Sequence, residues 1–129
     1  MAIQNHIYTR LSGYAGLTAL VGLRIYPVVA PESPVYPLVI YTLISPDKPK
    51  TSGGTSGNQI AALYQFSCWA DTYASARAVA DQIIAAFEDY SGTSDSTVIQ
   101  FSFYESENEM FEPTTKKHFI AIDFMIWYT

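Results

Sequence analysis

The chain has 129 residues, 49% of them hydrophobic and 15% charged, with a formal net charge of −5. That length suits one domain, 1–129, with a real core, and the apolar content excludes a disordered or linker-type protein. The acidic balance provides no basic footprint for nucleic acid or an anionic membrane, no apolar run approaches the ~20 residues of a membrane span, and the one cysteine, Cys68, cannot form an internal disulfide.

Residues 3–12, IQNHIYTRLS, set Ile3, Ile7, Tyr8 and Leu11 at helical spacing before Gly13. The start MAIQNHIYTRLSGYAG lacks the charged head and long apolar middle of a secretory signal, so synthesis in a reducing cytoplasm is expected. GLTALVG predicts one or two further helical turns closed by Gly22. LRIYPVVAP reads as a short strand, and VYPLVIYTLIS as a longer one with Pro37 near its beginning, where proline is tolerated.

The connection PDKPKTSGGTSGNQI follows. About thirteen residues, Pro46 to Asn58, with glycines at 53, 54 and 57, join two strands that a hairpin of two to five residues could join. QIAALYQFSCWA is the next strand. The period then changes: Tyr73, Ala76, Val79, Ala80, Ile83, Ile84 and Phe87 fall on one stripe of a helix over 72–90. Asp71 or Thr72 is its cap, and Gly92 lies just past its end. TVIQFSFYESE and KKHFIAIDFMIWYT are the last two strands, with ESENEMFEPT as the turn between them.

This order predicts an α+β fold, a mostly antiparallel sheet of about four to five strands with a long helix packed on one face and a short N-terminal helix. The final strand is apolar on both faces. His118, Ile120, Ile122, Phe124, Ile126 and Tyr128 alternate with Phe119, Ala121, Met125 and Trp127, interrupted by Asp123. A sheet covered on one side alternates apolar with polar, so either the N-terminal helix or another subunit is expected on the second face. Asp123, Met125 and Trp127 are the candidate subunit interface. Lys116, Lys117, Arg77 and Arg24 are candidate partners for the aspartate. Aromatic residues at 15%, with ten tyrosines, also favour contacts with other chains.

Catalytic chemistry has little to work with. His6 and His118 each stand alone, one read as a helix-surface group and one as a strand-end group, and without HxxxH or CxxC spacing no metal or cofactor is expected. Cys68 in QFSCWAD reads as a small hydrophobe. TSGGTSG lacks the lysine and the following helix of a phosphate-binding loop. Glu105, Glu107, Glu109 and Glu112 suit a solvated sheet edge better than a calcium loop. No enzyme is expected.

LTALVGLRIYPVVAPESPVYPLVIYTLIS, the soft loop, and a strand running into CWADTYASARAVADQIIAAF together resemble the tail-completion or tail-terminator proteins of long-tailed bacteriophages, prophages and gene-transfer particles. The similarity spans almost the whole chain and rests on structural signatures: LVGLRIYP, the paired prolines before VIY, and the W-A-x-T-Y-x-x-A-R-x-x-A-D run. It implies a small α+β subunit of a virion tail or neck, assembled in the host cytoplasm. Such subunits form a ring, commonly a hexamer, that caps the head-proximal end of the tail tube and stops its polymerisation.

The implied partners are further copies, the tail tube protein, and a head-completion or connector protein, with DNA only passing through the lumen. An acidic wall would let DNA pass without sticking. The soft loop is then expected to order against a neighbouring ring or tube, through Lys48, Lys50, Thr51, Ser52 and Thr55, with a reach of at most roughly 20 Å. The alternatives are another neck or head–tail joining ring component and a small cytoplasmic ligand-binding domain, which would need a closed polar pocket.

Overall fold

The computed structural model describes residues 2–46, 60–94 and 97–128. Three helices, α1 (Ala2–Ser12), α2 (Ala15–Val21) and α3 (Tyr73–Phe87), accompany six strands: β1 (Ile25–Pro27), β2 (Leu38–Pro46), β3 (Ile60–Ala70), β4 (Gly92–Ser94), β5 (Thr97–Glu112) and β6 (Lys117–Tyr128). The strands form one sheet in the order β1-β2-β3-β6-β5-β4. All neighbours pair antiparallel except β1, which runs parallel to β2. The fold is therefore α+β with a mixed sheet, larger than the four to five strands expected.

Helix α3 forms where the apolar stripe placed it. Ala76, Val79, Ala80, Ile83 and Phe87 are buried on the sheet, while Ile84 sits only half-buried at the margin of the core. The Thr72 hydroxyl accepts from the Ser75 N–H at 3.2 Å, supplying the cap that one of the first unsatisfied backbone donors needs. Asp71 is not the cap; its carboxylate pairs with Lys117. The helix stops at Phe87, short of Gly92, because Asp89 turns into the left-handed region (φ 55) and donates its N–H to Ser102 O. At α2 the sequence supplies the residue its end requires: Gly22 follows with φ 59.

The core lies between the three helices and one sheet face. Ile3, Ile7 and Leu11 of α1 join the same cluster as Val79, Ile83 and Phe87 of α3, together with Tyr64, Phe66, Ile122 and Phe124 from the sheet. The N-terminal helix thus does not cover the second face. His6, expected on the helix surface, is 1% exposed, and its Nε2 lies 3.0 Å from the Tyr90 hydroxyl.

The largest departure is in β5. ESENEMFEPT is not a turn: the strand runs on to Glu112, in register with β6 down to Glu112 opposite Lys117. The reversal is confined to residues 113–116, where Lys116 takes φ 57.

Candidate assembly surface

Alternation along each strand sorts the sheet into two faces. The even positions of β3 and β6 point at the helices, and the odd positions point away from every described helix. Register then fixes the outer rows: Trp69 opposite Phe119, Ser67 opposite Ala121, Gln65 opposite Asp123, Leu63 opposite Met125 and Ala61 opposite Trp127. Strand β5 extends them with Met110, Asn108, Ser106, Phe103 and Phe101. The three residues singled out as an interface, Asp123, Met125 and Trp127, all stand on this outer face.

Asp123 sits at the middle of the face between two neutral donors. Gln65 Nε2 donates to Oδ1 at 3.1 Å, and the Ser106 hydroxyl donates to Oδ2 at 3.1 Å. None of the four cationic side chains expected as partners pairs with it. Arg77 on α3 pairs with Asp81, Glu107 and Glu109, and Lys117 at the far end of the same strand holds Asp71. Arg24 donates to backbone carbonyls of Leu20 and Pro37, and Lys116 lies in the reversal at 113–116. Two hydrogen bonds to neutral groups keep a carboxylate tolerable on a half-buried face without adding net positive charge.

Apolar rows lie on both sides of this polar row, one of them beyond the Ser67–Ala121–Asn108 row. On one side Trp69 stacks on Phe119 with ring centroids 4.2 Å apart. On the other, Phe101 stacks on Trp127 at 6.1 Å and on Phe103 at 5.6 Å. Phe101 remains 44% exposed, and the Trp127 indole N–H has no acceptor among the described residues. Beyond the first stack lies an open groove of about 480 Å³ walled by Val29, Ala30, Tyr36, Leu38, Ile40, Trp69, Glu112, Thr114 and Thr115. It is an apolar trough, with Glu112 as its one ionisable carboxylate, and so offers no convergent acid, base and nucleophile.

The helix face holds the main charge network. Arg77 on α3 reaches Glu107 and Glu109 of β5 and Asp81 on its own helix, and the Tyr73 hydroxyl donates to Glu109 at 2.6 Å. Hydrogen bonds donated to Glu107 and then to Glu109 hold the Arg77 guanidinium above its ordinary value despite partial desolvation. The alternating glutamates do stand on an open strand edge, as expected. Two of them, however, turn in to a cation on the helix, a long-range pairing that strand periodicity does not reveal.

Among the described residues no group of three or more His, Cys, Asp and Glu side chains could hold a metal ion. Cys68 is fully buried, and burial pushes its thiol up, away from nucleophilic use. His118 packs between Tyr73 and Phe111. The loop residues expected to touch a partner, Lys48, Lys50, Thr51, Ser52 and Thr55, lie outside the described residues.

A family model described as Tail completion protein gp17 matches residues 5–129. Among solved structures, the chain is similar to one in a "Virion of native gene transfer agent (GTA) particle", with a TM-score of 0.74 at 18% identity, covering 95% of this chain and 90% of that one. At that identity the likeness is one of fold. No curated protein matches the chain.

Proposed function

The chain belongs to the Tail completion protein gp17 family, structural phage virion proteins rather than enzymes, and on that premise we propose that it is the ring-forming tail terminator. In this reading several copies, six in the simplest case, cap the head-proximal end of the tail tube, stop its growth and present a surface to a head-completion or connector protein. Asp123, Met125 and Trp127 lie at the contact between copies.

The observation that carries this reading is the outer sheet face, which none of the described helices covers. A domain of this size has the helices to bury one face of a six-stranded sheet, and it leaves the other lined by Phe101, Phe103, Met125 and Trp127. An apolar face of that kind marks a protein contact. The net charge of −5 suits a lumen through which DNA slides without being held.

Electron microscopy of the purified protein with and without tail tubes tests the proposal. Rings seated on tube ends, with tubes no longer elongating, are the expected result. Binding to filled heads and not to tubes would favour another neck or head–tail joining component and overturn the terminator assignment.

A further inference from the structure

A ring is built from head-to-tail contacts, so the surface that one copy presents must meet a different surface on the next. The outer face supplies one half. Resting on the ring reading above, we propose that the other half is the proline-bounded loop of residues 28–37, which packs against the Phe101–Trp127 corner of a second copy of this chain.

The loop is built to present apolar side chains. Val28, Val29 and Val35 are 69%, 70% and 61% exposed, although each is an aliphatic residue that a lone domain gains nothing by showing to water. Val28 adopts φ 66, a region that β-branched residues seldom enter. The neighbouring structure holds it there: its N–H donates to Tyr41 O at 3.0 Å and the Val29 N–H to Pro27 O at 2.6 Å. Prolines at 27, 31, 34 and 37 fix φ along the segment. A loop so restrained gives up little conformational freedom on docking, and conformations of this kind persist where they serve a contact.

The two surfaces also lie where a head-to-tail contact needs them. The loop joins β1 to β2 at one edge of the sheet, while Phe101 and Phe103 stand on β5 near the other. Each is therefore free to meet the next copy without competing with its own counterpart. Charge agrees. The loop carries one charged residue, Glu32, and residues 97–104 of β5 carry none, whereas Glu105, Glu107, Glu109 and Glu112 follow in quick succession. The Phe101 corner is the one end of β5 that would not repel the loop.

Cross-linking of assembled rings tests the pairing at positions beside the contact. Glu32→Cys and Thr93→Cys both replace exposed side chains, one in the loop and one on β4 beside the corner, while the native Cys68 is fully buried and unreactive. A flexible bismaleimide applied to rings of the double variant should give a ladder of covalent oligomers. A mixture of the two single variants should give covalent dimers, and neither single variant alone should. Val29→Asp should leave the melting temperature unchanged and weaken assembly at least about tenfold.

Rings that form but yield no cross-link, or that cross-link through Glu32→Cys alone, would overturn the loop assignment while leaving the ring intact. If wild-type protein forms no ring on tubes, the ring reading itself falls, and the loop contact with it.

Discussion

Arg77 grips Glu107 with both arms of its guanidinium, Nη1 lying 3.0 Å from Oε2 and Nη2 3.1 Å from Oε1. The pair is partly shielded, and it ties α3 to the far half of β5, which no described strand pairs on the edge away from β6. Arg77→Ala would leave Glu107 and Glu109 without their cation and should cost about 1–3 kcal/mol in urea unfolding. Arg77→Lys should recover only part of this, since an ammonium cannot make the two-armed contact. An Arg77→Ala protein as stable as wild type would show that α3 and β5 are held together by packing alone.

The same network predicts an acid response. The Tyr73 hydroxyl and then Arg77 hold the Glu109 carboxyl below its ordinary value of 4.5. A carboxylate with a lowered folded-state pKa contributes stability that is complete above the unfolded value and is lost as pH falls through the folded one. The stability difference between wild type and Glu109→Gln should therefore be constant at neutral pH and shrink below about pH 4.5. A difference that stays flat to pH 3 in denaturant titrations would remove Glu109 from the account.

The helix core gives a third test. Ile83 is fully buried between α3 and the sheet, whereas its neighbour Ile84 is half-buried, so Ile83 is the position that should not accept charge. Ile83→Asp places an unpaired carboxylate there and should remove several kcal/mol from a total of about 5–15, enough to make the chain insoluble or unfolded near 37 °C. Ile84→Asp should cost clearly less, and equal losses at the two positions would contradict the packing.

Trp127 separates assembly from folding. Its ring lies on the outer face beside Phe101, with part of its surface open, so Trp127→Ala should change the melting temperature only modestly. At a subunit contact the same truncation should cost about 2 kcal/mol or more, about thirtyfold in affinity. Rings on tails indistinguishable from wild type would exclude Trp127 from the contact.

What could be read in advance follows from how local each signal is. The α3 stripe and the two-sided β6 pattern are carried by neighbouring residues, so periodicity exposed them. The end of β5 was hidden because its alternating glutamates look like a polar turn until Arg77, on another element, is seen to receive two of them. The partners of Asp123 are illegible for a related reason: Gln65 and Ser106 come from the two flanking strands, and a carboxylate alone suggests a cation. His6 looked exposed because nothing near it in the chain announces Tyr90. The left-handed turn at Val28 had no signal at all, since valine is among the residues least expected there.

The connection between β2 and β3 starts and ends at neighbouring points of the sheet. The strands are antiparallel neighbours, with Pro46 opposite Ala62. A short hairpin could therefore join them, and the extra residues are not needed to span a gap. We propose that they serve the contact with a neighbouring ring or tube, through Lys48, Lys50, Thr51, Ser52 and Thr55. Replacing Asp47–Asn58 by Asn-Gly leaves about five residues between Pro46 and Ala62, within hairpin range. Each halving of a loop saves only about 0.6 kcal/mol of closure entropy, so the shortened protein should be as stable as wild type or slightly more so. Tails assembled with it should nevertheless run over-length or fail to join heads. Normal tail length and normal infectivity, measured with a folded shortened protein, would show that the connection is surplus chain and that the tube is met through other residues.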